Sequence, residues 1–142
     1  MYPATVKFQF IKSSNGKLPQ RATDLAAFYD IYSGEDCIVP SYEVYPVHTG
    51  IKIQPQRGYV VKIYVRSGMA KKGVFLANGT GIIDADYSGE LIILLYNSTI
   101  EPYHVELGHR IAQMEVCKVE DIRFIESHNI GGEHKGFGST GL

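Results

Sequence analysis

The residues that most limit what this chain can become lie between positions 78 and 90: Asn78-Gly79-Thr80-Gly81-Ile82-Ile83-Asp84-Ala85-Asp86-Tyr87-Ser88-Gly89-Glu90. Glycines at 79, 81 and 89 surround an isoleucine pair, two acids and one aromatic ring. Such a segment can turn tightly and bring its backbone close to a ligand, while holding a carboxylate and a ring at one spot. The flanking runs, 73–77 and 91–96, are short, apolar and rich in β-formers, so they read as strands entering and leaving a loop or hairpin. Taken alone, the same residues equally describe an ordinary hairpin with solvated acids at its turn.

The rest of the chain repeats the strand pattern. Short runs at 6–11, 29–32, 37–40, 43–50, 51–55, 59–65, 104–107 and 111–116 are broken by turn formers such as Ser13-Ser14-Asn15-Gly16 and Ser33-Gly34. Only 66–72, through Ser67-Gly68-Met69-Ala70, suggests a turn or two of helix. This spacing predicts an all-β fold, a jelly-roll-like barrel or sandwich that hides most strand edges between two sheets. A length of 142 residues suits one domain with a real core. The expected division is a β domain over 1–128 and a C-terminal arm over 129–142. From Gly131 onward glycine is too frequent for a packed strand or helix, so the arm reads as flexible. Its Phe137, Lys135, Ser139 and Thr140, with glycine amides between them, suit closure over a nucleotide.

Charge and cysteine content narrow the function. A formal net charge of −1 argues against a broad nucleic-acid surface. Cys37 and Cys117 form no CxxC and no zinc-type spacing, so two reduced thiols are expected. The N-terminus lacks a basic region followed by an apolar one, and no run is long enough to span a bilayer. A soluble, cytoplasmic protein with no nucleic-acid or membrane partner is the expectation.

Five segments, in order, resemble the motifs of the trimeric dUTP nucleotidohydrolases (dUTPases). Ala27-Phe28-Tyr29-Asp30-Ile31-Tyr32-Ser33 resembles AGYDLYS, and Arg66-Ser67-Gly68-Met69-Ala70 resembles the end of PRSGLA. The stretch 78–90 resembles the third motif with its GxIDxDYRGE core. Gly108-His109-Arg110-Ile111-Ala112-Gln113-Met114 resembles GDRIAQL, and Gly136-Phe137-Gly138-Ser139-Thr140-Gly141 resembles the second half of RGxGGFGSTG. One such match would carry little; five in order at suitable separations carry much more.

The resemblance implies hydrolysis of dUTP to dUMP and pyrophosphate by water attacking the α-phosphorus, with Mg²⁺ on the triphosphate. Asp84 matches the catalytic aspartate that orients and deprotonates that water, a role a carboxylate fills by accepting the proton. Asn78 and the backbone around it, with Gly81 and Ile83, match the groups that pair with the uracil edge. Cytosine is rejected because its amino group presents a donor where uracil has an acceptor. Tyr87 matches the ring beneath the deoxyribose, where a 2′-hydroxyl has no room. Ser67, Gly68 and Gln113 match phosphate-contacting positions, and Arg66 matches an arginine that supports the structural Asp30. Phe137, Gly138 and Ser139 match the closing arm. No dedicated metal cage is implied, because Mg²⁺ rests mainly on phosphate oxygens and water. A homotrimer is implied, each site drawing on motifs of neighbouring chains and an arm from another.

The chain departs from the family pattern at several positions. Phe28 stands for a glycine, Val65 for a proline, His109 for an acid and Ser88 for an arginine. Gly132 stands for the arginine that clamps the γ-phosphate, leaving Lys135 or His134 as substitutes; a lysine offers a point charge rather than a fork. Three alternatives compete with the hydrolase reading. The related dCTP deaminases need a glutamate ten positions after the matching aspartate, where this chain has Leu94, which cannot move a proton. A dUTP-binding regulatory protein of viral or phage type would keep the site with weak or no catalysis. A jelly-roll structural subunit would explain the strands and leave the motifs unexplained.

Overall fold

The structure, a computed structural model, describes residues 2–132 and residue 136. Eleven strands and one short helix follow the order β1 (Val6–Phe10), β2 (Tyr29–Tyr32), β3 (Cys37–Val39), β4 (Val44–His48), β5 (Ile51–Pro55), β6 (Tyr59–Tyr64), α1 (Ser67–Lys71), β7 (Val74–Leu76), β8 (Gly81–Ile83), β9 (Ile92–Asn97), β10 (Tyr103–Val105) and β11 (Arg110–Lys118) among the described residues. The all-β reading holds. A four-stranded sheet β2-β11-β6-β8 and a three-stranded sheet β4-β9-β7 are joined by the pairs β1-β5 and β10-β3, all antiparallel.

Alternation sets which face is inside. In β5, Ile51 and Ile53 are buried while Lys52 is exposed; in β9, Ile93 and Leu95 are buried while Leu94 points outward. These side chains pack with Ile31, Val39, Val47, Val61, Val74, Leu91, Val105 and Ile111 into one core between the sheets. Full burial of each such residue is worth roughly 1.5–3 kcal/mol. Pro46 lies in β4, an edge strand of its sheet, where its missing N–H costs no ladder bond.

The central stretch is not one continuous hairpin. β7 and β9 do pair, Leu76 opposite Leu95, so the flanking strands are neighbours as expected. Between them, however, the chain crosses to the other sheet, and β8 pairs with β6 through Val61–Ile83 and Ile63–Gly81. Gly81 permits this approach: a Cβ there would lie 3.0 Å from Ile63 Cβ. The strand expected over 104–107 ends at Val105, because Leu107 turns to donate its N–H to Asp36 Oδ1 at 2.8 Å.

Candidate active site

Asp30 is the centre of one cluster. It sits in β2 with 6% of its surface exposed, and a carboxylate so placed needs compensating charge. Arg66 Nε donates to its Oδ1 at 3.0 Å, and Arg110 Nη1 stands 3.8 Å from Oδ2. Arg66 and Asp30 thus form an ion pair. Arg110, at the start of β11, is a partner that the sequence reading misses; its place in the GHRIAQ segment is the signal that could have found it. A bulge between Arg110 and Ala112 displaces the start of β11 relative to β2.

Beside this pair lies a cavity of about 370 Å³ lined by Asp30, Arg66, Ser67, Gln113, Phe28, Ala22, Ala26 and Ala27. The first, second and fourth motifs thus converge within one chain. Their convergence follows from sheet order: β11 lies between β2 and β6, bringing Gln113 opposite both Asp30 and Tyr64. Gln113 Nε2 donates to the carbonyl of Val65 at 2.9 Å, fixing the amide at the cavity wall. Arg66 caps α1 in extended geometry, and Ser67 begins the helix exposed. A Cβ at Gly68, the residue after Ser67, would meet nothing within 4 Å, so the backbone there is open to solvent.

Phe28, standing where the family pattern has glycine, stacks on Tyr64 with ring centroids 5.2 Å apart and planes 19° apart. The Tyr64 hydroxyl donates to Glu115 Oε2 at 2.6 Å, and that bond pushes the tyrosine up to about 12. Phe28 also lines an apolar groove of about 590 Å³ with Val6, Phe8, Leu18 and Met114, so it is shared by that groove and the Arg66 cavity. His109, in place of an acid, is held below its ordinary value by burial, then by the charges of Lys72, Arg66 and Arg110.

The third motif forms a second group. Asp84 follows β8 and is exposed; its carbonyl accepts the Tyr87 N–H at 3.1 Å, closing a turn. Tyr87 folds back so that its hydroxyl donates to the Glu90 carbonyl at 2.7 Å. Its ring lies over Gly89, where a Cβ would come within 2.6 Å of the phenolic oxygen. Asn78 is exposed in the turn before β8, its carbonyl accepting Thr80 N–H at 2.8 Å, with Gly79 at φ +71°. Gly81 is buried against Ile63, and Ile83 is half-buried. The 370 Å³ cavity is lined by none of these residues.

Among the described residues no cluster of His, Cys, Asp and Glu is arranged to hold a metal ion. Both oxygens of Asp30 face guanidinium groups, while the Asp84 carboxylate is exposed. This donor set fits a cation carried on a substrate's phosphates better than one held in a protein cage. Gly132 is exposed at φ +114°; Phe137, Gly138, Ser139, His134 and Lys135 lie outside the described residues.

The dUTPase family model matches residues 14–141. The deoxyuridine 5′-triphosphate nucleotidohydrolase of Zymomonas mobilis is 38% identical over 133 residues, covering 91% of each chain. The Staphylococcus bacteriophage 80alpha dUTPase with dUPNHPP superimposes with a TM-score of 0.83 at 25% identity, covering 97% of this chain and 99% of that one. A dUTPase from phage phi11 of S. aureus, described for its coordination of a structural Mg(II) ion, gives a TM-score of 0.79 at 22% identity, covering 90% and 99%. The last likeness bears on the jelly-roll fold alone.

Proposed function

The chain belongs to the dUTPase family, the dUTP diphosphatases, and on that premise we propose that it hydrolyses dUTP to dUMP and pyrophosphate with Asp84 as general base. The observation that carries the reading is the cavity that gathers Asp30, Arg66, Ser67 and Gln113 from three separate motifs. An arginine, a hydroxyl and an amide at one open rim are donors suited to phosphate oxygens. Asp84 accepts a proton from the attacking water as its oxygen bonds to the α-phosphorus; the bond to the bridging oxygen breaks, and pyrophosphate leaves. Mg²⁺, when bound to the triphosphate, offsets charge on that leaving group.

Base and sugar selection fall to the turn 78–90. Asn78 and the exposed backbone beside it suit a uracil edge, and Tyr87 suits a deoxyribose face. Ser67 and Gly68 suit phosphate contacts and Gln113 a contact near the α-phosphate; Phe137, Gly138 and Ser139, outside the described residues, match the family's closing arm. Asp84 and Tyr87 do not line the Arg66 cavity, which supports a site completed between copies in a homotrimer. Exposed apolar residues Ile122, Phe124 and Ile125 beyond β11 also suit contact with a neighbouring chain. No helix among the described residues is long and apolar enough to cross a membrane, and an intracellular site of action accords with a nucleotide substrate.

Pyrophosphate release from dUTP, with UTP, dCTP and dTTP in parallel and with EDTA replacing Mg²⁺, tests the reaction. Release confined to dUTP and dependent on Mg²⁺ is expected. Asp84→Asn is expected to lower kcat by roughly 10²–10⁴-fold while nucleotide binding persists. An Asp84→Asn variant that turns over at the unaltered rate would overturn the assignment of the base.

A further inference from the structure

We infer that His48 is a positioning residue for the sugar-facing ring of Tyr87, acting through Glu90; the inference rests on the reading of Tyr87 given above. His48 ends β4, far in sequence from the third motif, yet its Nδ1 lies 3.1 Å from Glu90 Oε1. The other carboxylate oxygen, Glu90 Oε2, accepts the Gly50 N–H at 3.1 Å. The carbonyl of the same Glu90 receives the Tyr87 hydroxyl at 2.7 Å. One residue thus takes two contacts from the β4–β5 corner and holds the aromatic ring with its backbone.

The corner itself is closely packed and hydrogen-bonded, which suits it to serve as an anchor. Gly50 adopts φ +76°, and a Cβ there would lie 2.8 Å from both Gly16 N and Ser14 Oγ. Thr49 is buried, and its hydroxyl donates to the Leu91 carbonyl, one residue beyond Glu90. Leu91 N–H donates back to the Ile51 carbonyl at 2.8 Å. The His48 carbonyl receives Gly34 N–H at 2.8 Å, and its N–H donates to Glu35 Oε2 at 3.3 Å. Residues 90–91 are therefore tied to the core, while 84–89 extend into solvent and carry Asp84 and Tyr87. The other end is held by β8 through the Val61–Ile83 pair, so Tyr87, on the C-terminal side of the turn, takes its orientation from the hold at 90–91.

The pair also makes the arrangement responsive to pH. His48 is raised above 6.5, first by its bond to Glu90, with burial opposing and the charges of Glu90 and Glu35 adding. Glu35 faces it from the β2–β3 connection, its other oxygen engaged by the Tyr45 hydroxyl at 2.7 Å. A raised imidazole contributes fully below the unfolded value and loses its charge contribution as pH rises through the folded value. The hydrogen bond survives deprotonation in the tautomer that keeps a proton on Nδ1, so the change is graded. His48 is half-exposed, which limits the effect to about two- to fivefold in affinity.

The test is steady-state dUTP and UTP hydrolysis by wild type, His48→Ala, His48→Gln and Tyr87→Ala across pH. His48→Ala is expected to raise KM for dUTP about two- to fivefold with kcat little changed, and to narrow the preference for dUTP over UTP. His48→Gln retains a donor, so KM should recover, while the step present in wild type near the raised imidazole value disappears. Ionisation of the nucleotide is common to both proteins and cancels in that comparison. If Tyr87→Ala alters the dUTP:UTP ratio but His48→Ala leaves KM and the ratio at wild-type values, the positioning role is refuted. If Tyr87→Ala leaves the ratio intact, the reading of Tyr87 itself fails, and the inference falls with it.

Discussion

Replacing Arg66 by methionine removes the nearer of the two cations that neutralise Asp30. The Asp30 side chain is 9% exposed and cannot recruit water freely. Breaking a buried ion pair from one side costs about 3–5 kcal/mol, mostly from the charge left behind. Two features reduce that figure. Arg110 remains 3.8 Å from Oδ2, and the Arg66 side chain is itself 27% exposed, so part of its attraction is already screened. A loss of about 2–3 kcal/mol is expected, equivalent to roughly 6–12 °C in Tm for a domain of this length. Urea unfolding followed by far-ultraviolet circular dichroism provides the measurement, at fixed protein concentration because assembly contributes to apparent stability.

The second arm of the experiment separates charge from packing. Adding Asp30→Asn to Arg66→Met removes the orphaned charge, and more than half of the lost stability should return. Affinity for dUTP should not return, because Arg66 also lines the proposed phosphate cavity. A double variant no more stable than Arg66→Met would refute the electrostatic account. Recovery of stability together with full recovery of KM would remove Arg66 from the nucleotide site.

Asn97 is fully buried and makes four bonds, donating from Nδ2 to the carbonyls of Val39 and Glu101 and accepting at Oδ1 from the N–H and hydroxyl of Thr99. Asn97→Ala should cost about 2–4 kcal/mol in urea unfolding, and a loss below about 1 kcal/mol would contradict that network's importance. Cys37 is 8% exposed and pushed up to about 11, first by burial and then by the neighbouring Glu35 and Asp36. Iodoacetamide labelling read by mass spectrometry should therefore modify the half-buried Cys117 first and reach Cys37 only on unfolding; faster labelling of Cys37 would refute the ordering.

Strand positions are legible wherever one face of a strand has to be apolar. Ile51-Lys52-Ile53 shows its inside and outside in the sequence and β5 follows it, while Tyr59 through Tyr64 is legible as a strand by its run of β-formers. The short helix is also visible, because Ser67-Gly68-Met69-Ala70 interrupts the alternation and Met69 is its one buried residue. The excursion of β8 is not. Gly81-Ile82-Ile83 has neither length nor alternation enough to announce a strand, and its pairing with β6 depends on how closely Ile63 lets a glycine approach. That is a fact about packing.

The same distinction explains what is visible of the site. Arg66 and Asp30 can be paired from motif resemblance, since both lie in recognisable segments. Arg110 lies in a recognisable segment too, but its reach to Asp30 depends on β11 lying beside β2, and that sheet order leaves no compositional mark. His48 is hidden for a further reason: Pro46-Val47-His48-Thr49-Gly50 reads as the end of one strand and a turn. Only the antiparallel pairing of β4 with β9, His48 opposite Ile92, brings its ring to Glu90. Chemistry borne by one segment can be read along the chain, whereas the residue that holds that segment in place is set by sheet register. The carboxylate and ring of the third motif are of the first kind, and the His48–Glu90 contact is of the second. Substitutions that leave all five motifs intact but alter the β4–β5 corner should consequently shift KM before they shift kcat.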